Sequence, residues 1–97
     1  MAQERVVYLN GEMVPESQAL VPINDTGFVL GDAVFDTTRT FGGEIFKLKE
    51  HLDRLYVSLK YMRMVPGITK EKMADLTTQV LEANLPLLDE NDDYWVT

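Results

Sequence analysis

Two glycine-containing dipeptides divide the first half of the chain into pairs of short strands. The first, Asn10-Gly11, stands between residues 6–9 and residues 12–15, where apolar and β-branched side chains predominate. An Asn-Gly pair favours the positive φ angles that a type I′ hairpin turn requires at both central residues. The sequence therefore predicts a β-hairpin over residues 6–15.

A second hairpin is predicted around Gly42-Gly43. These glycines separate residues 33–41 from residues 44–48, and both segments contain β-branched or aromatic side chains. The intervening residues 16–26 contain proline, asparagine and aspartate without a regular hydrophobic period, so we interpret them as a loop. We expect the two hairpins to join in one antiparallel sheet.

From Lys49 onwards the hydrophobic period changes from two residues to about 3.6, which indicates helices. The first predicted helix ends at residues 65–67 and carries an apolar stripe formed by Leu52, Leu55, Leu59 and Met62. A second helix is predicted from a cap at Thr69 to Pro86. Its buried side consists of Met73, Leu76, Val80 and Leu81.

Residues 94–97 are aromatic and β-branched, which is typical of the start of a buried strand. No turn or polar segment follows, so we expect the polypeptide to continue; the alternative is an edge strand at a natural C-terminus. Together the patterns predict an α+β fold. It is a two-layer sandwich in which an antiparallel sheet of two hairpins plus a C-terminal strand is covered by two helices.

Length and charge exclude several classes of function. The 97 residues suffice for one small domain, and sixteen Asp and Glu against nine Lys and Arg give a net charge of -7. Such a surface disfavours nucleic acid and anionic membranes. The chain has no cysteine for a disulfide or a thiolate metal site, and no apolar run of membrane-spanning length or secretory type. We expect a cytoplasmic protein.

The residues alone assemble no catalytic set and no metal site. The single histidine, His51, falls in the first turn of the main helix, and a solvated role is the preferred interpretation. The acidic residues 89–93 lack the spacing and central glycine of a calcium loop. We therefore assign no metal ligands.

The segment preceding Gly42 offers a candidate binding surface. Period-two alternation places Phe35, Thr37, Arg39 and Phe41 on one face, with Asp36, Thr38 and Thr40 on the other. The Arg39 guanidinium is suited to a substrate carboxylate at the edge of an apolar pocket. On physical grounds alone the favoured interpretation is an ion-paired or snorkelling surface arginine. Arg54 lies off the leucine stripe, and its residue type and spacing alone indicate a surface pair with Glu50.

Three motifs and a short opening segment favour binding roles for Arg39 and Arg54 over surface roles. They are residues 31–36 (Gly-Asp-Ala-Val-Phe-Asp), 43–48 (Gly-Glu-Ile-Phe-Lys-Leu) and 50–55 (Glu-His-Leu-Asp-Arg-Leu), preceded by Tyr-Leu-Asn-Gly at 8–11. In this order and spacing they resemble the N-terminal part of fold-type IV, or class IV, pyridoxal-phosphate-dependent aminotransferases. That group contains branched-chain and D-amino-acid aminotransferases, R-selective amine transaminases and aminodeoxychorismate lyase. The resemblance extends from about Tyr8 to the end of the chain.

The resemblance implies roles for four residues. Arg54 matches the arginine that binds the phosphate of pyridoxal 5′-phosphate, and a guanidinium suits phosphate because its donors form a bidentate fork. Phe35, Thr37 and Arg39 match positions that line the substrate pocket. We expect the guanidinium of Arg54 to face the second hairpin rather than bulk water.

The resemblance also implies a missing part. In that family, the lysine that forms a Schiff base with the cofactor and the glutamate at the pyridine nitrogen belong to a larger C-terminal domain. No lysine in this sequence matches the catalytic position. Residues 1–97 are thus expected to be the N-terminal small domain of a homodimeric transaminase. The whole enzyme would transfer an amino group from a branched-chain-like amino acid or an amine to a 2-oxo acid. The small domain alone is expected to be inactive. The alternatives are a lyase of the aminodeoxychorismate type and a stand-alone protein-interaction module.

Overall fold

The computed structural model describes residues 3–97 as five short strands, three α-helices and two 3₁₀ turns. The strands are β1 (Val6–Leu9), β2 (Glu12–Pro15), β3 (Thr38–Phe41), β4 (Glu44–Ile45) and β5 (Trp95–Val96). The helices are α1 (Thr26–Leu30), α2 (Leu48–Tyr61) and α3 (Lys70–Asn84), and the 3₁₀ turns cover Glu16–Gln18 and Leu85–Leu87.

The strands form two antiparallel sheets instead of the single sheet expected from the sequence. β1 pairs with β2 around Asn10 and Gly11, whose φ angles are 51° and 92°. In the other sheet β3 lies between β4 and β5 and is antiparallel to both. The α+β class and both hairpin turns are confirmed, whereas the union of the two hairpins is not.

A side-chain amide explains why the first hairpin stands apart. The N–H and C=O of Val6 point away from β2, and both bond to Asn84 at the end of α3: the N–H donates to Oδ1 at 2.7 Å and the C=O accepts from Nδ2 at 2.8 Å. The same Nδ2 also donates to the Val80 carbonyl at 2.7 Å. The edge of β1 that a further strand would need is thus bonded to a helix at this residue.

The second hairpin is shorter than predicted. β3 begins at Thr38 rather than at residue 33, and β4 ends at Ile45 because Lys47 turns into the left-handed region with φ 52° and α2 begins immediately afterwards. Upstream, the sequence did not predict α1, which begins at Thr26, the last residue of the predicted loop. The Asp25 carboxylate accepts a bond from the Gly27 N–H at 2.8 Å and caps this helix.

Both long helices form as predicted, although α2 ends at Tyr61, before the predicted end at residues 65–67. Thr69 caps α3 by accepting a bond from the Lys72 N–H at 3.1 Å, and α3 ends two residues before Pro86. The buried leucines of the core are Leu52 and Leu59 from α2 with Leu76 and Leu81 from α3. Met62, predicted to belong to the apolar stripe, is instead exposed because α2 ends at Tyr61.

The C-terminal strand forms as predicted but is not buried on both faces. Trp95 lies opposite Arg39 and is 79% exposed, whereas Val96 lies opposite the buried Thr38. Alternation along β5 therefore continues the two faces of β3, one inward and one outward. Within residues 3–97, no helix has the length and apolar character needed to cross a membrane.

Candidate functional site

An ion pair joins the segment before β3 to α2. The Asp36 carboxylate accepts two hydrogen bonds from Arg54, one from Nε to Oδ2 at 2.7 Å and one from Nη2 to Oδ1 at 2.8 Å. This is the bidentate geometry in which a guanidinium binds a carboxylate most strongly. The partner of Arg54 is therefore Asp36, and not Glu50 as its position on the helix suggests.

His51 completes the cluster. It lies one helical turn before Arg54, so the two side chains share a face of α2. Its Nδ1 is 2.7 Å from Asp36 Oδ1. Because an ionised carboxylate only accepts hydrogen bonds, we assign the ring proton to Nδ1. Arg54 Nη2 lies 3.1 Å from the same nitrogen, and with this tautomer both atoms are donors, so the approach is not a hydrogen bond. The ring is 24% exposed, so the solvated histidine expected from the sequence is corrected to one bonded to Asp36.

The cluster keeps Asp36 ionised. The hydrogen bonds from Arg54 lower the pKa of this carboxyl well below its ordinary value, burial opposes the shift, and the bond from His51 adds to the lowering. The same pairing raises the pKa of Arg54. The Asp36 side chain is only 9% exposed, whereas that of Arg54 is 67% exposed.

The guanidinium has donors left for a further anion. Asp36 uses Nε and one N–H of Nη2, which leaves three of the five donors: the second N–H of Nη2 and the two N–H groups of Nη1. With two thirds of the side chain exposed, these donors are accessible to a phosphate or a carboxylate. Arg54 thus faces the segment leading into the second hairpin on one side and solvent on the other.

The pocket residues inferred from the resemblance lie on the other face of the β3 segment. Phe35 is 82% exposed, and the Thr37 hydroxyl lies 3.0 Å from that of Thr97. The alternation predicted from the sequence is present, since Thr38 and Thr40 are buried while Thr37 and Arg39 are exposed. Phe35, Thr37 and Arg39 therefore belong to one outward-facing surface.

Arg39 is held at that surface by the carboxylate of Asp93. Its Nη2 donates to Asp93 Oδ2 at 3.2 Å, and its guanidinium lies over the Phe41 ring, 4.0 Å from the centroid. Asp93 is fixed in turn, because the buried Thr40 hydroxyl donates to its Oδ1 at 2.8 Å. In this structure Arg39 is an ion-paired arginine, which is the interpretation that physical grounds alone favoured.

One contributor to the cluster was not singled out from the sequence. Asp36 stands inside the motif at residues 31–36, on the face that alternation places with Thr38 and Thr40. A carboxylate turned inward requires a cation or several hydrogen-bond donors as partners. The inward position of Asp36 in the alternating pattern could therefore have indicated that it has such a partner. Across residues 3–97, no group of three or more His, Asp or Glu side chains is arranged to hold a metal ion.

The pH dependence of stability tests the Asp36 ion pair. Since the pKa of folded Asp36 lies below the ordinary value of 3.8, its stabilisation is fully present well above pH 3.8 and is lost progressively as the pH falls from there toward the folded pKa. Between about pH 5 and pH 3 we expect the wild type to lose about 1 kcal/mol more unfolding free energy than Asp36→Asn, because the exposed partner limits the effect. Urea unfolding at each pH measures this.

Glu82→Gln, at an exposed position on α3, is the matched control and is expected to keep the wild-type pH profile. Parallel profiles for the wild type and Asp36→Asn would show that the ion pair adds nothing to stability.

The comparisons with known proteins agree with one another. The family model described as Amino-transferase class IV matches residues 33–87. A protein described as "Putative branched-chain-amino-acid aminotransferase" from Methanocaldococcus jannaschii is 44% identical over 78 residues, which are 80% of this chain and 27% of that protein. The D-alanine aminotransferase of Staphylococcus haemolyticus is 31% identical over 78 residues, again 80% of this chain and 28% of the relative.

A solved structure shows the same fold. The branched-chain aminotransferase from Thermoproteus uzoniensis, crystallised with norvaline, matches with a TM-score of 0.79 and 26% identity. The match covers 94% of this chain and 31% of that one. The chain therefore spans between about a quarter and a third of the length of these proteins.

Proposed function

This chain belongs to the class IV aminotransferase family, and on that basis we propose that it is the N-terminal small domain of a pyridoxal-phosphate-dependent transaminase. The enzyme transfers an amino group from an amino acid, branched-chain-like, to a 2-oxo acid. The lengths support a partial chain, since the relatives are more than three times as long as the matched segment. The remainder of the polypeptide would supply the lysine and the other groups that hold the cofactor ring.

The observation that carries this proposal is the exposed guanidinium of Arg54. Its outer donors fit a phosphate, because Nη1 offers two N–H groups while Asp36 holds the inner edge of the same plane. Arg54 would therefore bind the phosphate of pyridoxal 5′-phosphate. When bound, the cofactor supplies an electron sink that stabilises negative charge at the substrate α-carbon.

The outward face of the β3 segment would form part of the substrate pocket. The exposed ring of Phe35 would provide an apolar wall for the substrate side chain, Thr37 would place a hydroxyl beside it, and Arg39 would bind the substrate carboxylate. These exposed groups are consistent with a wall that further protein covers. We also propose a homodimer and a cytoplasmic location.

The names of the relatives favour amino acids over simple amines as donors. One is described as a branched-chain-amino-acid enzyme and another as a D-alanine enzyme, and the first is the more similar of the two. We therefore place branched-chain amino acids first and D-alanine second.

An assay of the full-length protein tests the proposed reaction. The purified protein is incubated with pyridoxal phosphate, 2-oxoglutarate and L-leucine, L-valine, D-alanine or an R-amine, and both products are quantified. We expect glutamate and the oxidised donor in equal amounts, a 2-oxo acid from each amino acid and a ketone from the amine, with the branched-chain donors fastest. Pyruvate release from aminodeoxychorismate without an amino acceptor would indicate a lyase, and no amino transfer by cofactor-loaded protein would contradict the proposal.

Arg39→Gln is expected to raise the KM for amino-acid donors by about three- to tenfold, with little change in the KM for an amine that lacks the carboxylate. The effect is modest because the guanidinium is half exposed and already shared with Asp93. A contact equally strong in the ground and transition states leaves kcat almost unchanged. Steady-state kinetics with paired donors measure it. Lys60→Gln, an exposed cation on α2, is the control, and equal changes for both donor classes would contradict the role.

A further inference from the structure

We propose that Asp36 is a positioning residue that orients the guanidinium of Arg54 toward the cofactor phosphate. The inference rests on the proposed function and extends it to a residue that does not itself touch the cofactor. The juxtaposition that carries it is the bidentate pair between Asp36 and Arg54, braced by His51.

The two bonds of the pair fix the plane of the guanidinium. A single hydrogen bond would permit rotation about its axis, whereas two parallel bonds from Nε and Nη2 define both the plane and its direction. Nη1 then lies on the edge opposite the carboxylate. An exposed arginine without such a partner populates many rotamers, and binding a phosphate would have to restrict them.

Asp36 is itself held firmly enough to serve as a reference point. Its side chain is almost fully enclosed, and its Oδ1 accepts from His51 as well as from Arg54. Both donors project from α2, whereas Asp36 belongs to the segment leading into β3. The contact therefore fixes Arg54 relative to the strand whose outward face carries Arg39.

Charge alone predicts the opposite effect of removing Asp36. The carboxylate partly neutralises Arg54, so its loss would strengthen the raw attraction between Arg54 and a dianionic phosphate. Orientation predicts weaker binding, because an asparagine amide offers one acceptor and presents N–H groups to the other guanidinium donor. The sign of the change in affinity thus separates positioning from simple electrostatics.

The experiment uses the full-length protein and compares two probes. The dissociation constants of pyridoxal 5′-phosphate and of pyridoxal, which lacks the phosphate, are measured by absorbance titration for the wild type, Asp36→Asn, Asp36→Ala, Asp36→Glu and Arg54→Ala. The ratio of the two constants reports the phosphate contact alone, since any general damage to the fold weakens both ligands together. Unfolding midpoints by circular dichroism accompany each titration.

We expect Asp36→Asn and Asp36→Ala to reduce the preference for the phosphorylated cofactor by about three- to tenfold. Asp36→Glu retains two carboxylate oxygens and is expected to restore part of it. Arg54→Ala is the reference that shows the full size of the phosphate contact. Should Asp36→Asn not fold, Asp36→Ala, which adds no amide donors, provides the same measurement.

The outcomes distinguish the positioning role of Asp36 from the phosphate-binding role of Arg54 on which it rests. If Arg54→Ala loses the preference while Asp36→Asn and Asp36→Ala retain or increase it, positioning by Asp36 is refuted and the role of Arg54 stands. If Arg54→Ala retains the preference, the phosphate role of Arg54 and the inference built on it both fail.

Discussion

Arg54→Ala in the full-length enzyme is expected to weaken the binding of pyridoxal 5′-phosphate on the order of thirtyfold or more. In the proposed role of Arg54, the substitution would remove a charge-assisted contact to phosphate. It also leaves the enclosed carboxylate of Asp36 without its principal partner. Absorbance titration of the apoprotein with cofactor, followed by dialysis of the loaded protein, measures the loss.

Two variants make this result specific. Arg54→Lys keeps a positive charge but cannot bind carboxylate and phosphate with one rigid plane, so an intermediate affinity is expected. Lys49→Ala removes another exposed cation from α2, one paired with Asp53, and is expected to leave cofactor affinity unchanged. Cofactor retention by Arg54→Ala equal to that of the wild type would remove Arg54 from the site.

Asn84→Ala is expected to lower the free energy of unfolding by about 2–3 kcal/mol. The side-chain amide makes three hydrogen bonds, two to the backbone of Val6 and one to the Val80 carbonyl, and it is buried. Alanine would leave the Val6 N–H and C=O without these partners beside the α3 helix. Urea unfolding of the chain, followed by circular dichroism, measures the change.

Gln79→Ala is the matched control, because it truncates an exposed side chain on the same helix and is expected to change the unfolding free energy only slightly. A loss for Asn84→Ala no larger than that of the control would mean that the amide does not hold β1 to α3.

Local features of the sequence were sufficient for the turns and the long helices. The positive φ angles at Asn10-Gly11 and Gly42-Gly43 follow from the residues themselves, and so does the Thr69 cap of α3. The alternation around Arg39 was also predictable, because a period of two needs only neighbouring residues. The same local reasoning missed the exposure of Met62, since it did not locate the end of α2.

The candidate site depended on both kinds of information. The motif around Arg54 pointed to that residue, and the structure then identified Asp36, 18 residues earlier, as its partner. Nothing in the spacing along α2 distinguishes Asp36 from the nearer Glu50. The choice is made by the packing of α2 against the segment before β3, which is a property of the folded chain.

The sequence alone therefore determined the local elements: where the chain turns, where two helices form and which side chains alternate across β3. Only the tertiary structure decided that the hairpins separate, that Asn84 bonds to the edge of β1, and that Asp36, His51 and Arg54 meet. The reason is physical. Turns, caps and periodicity depend on residues within a few positions of one another, whereas partner choice depends on which distant groups must leave water together and satisfy each other's hydrogen bonds.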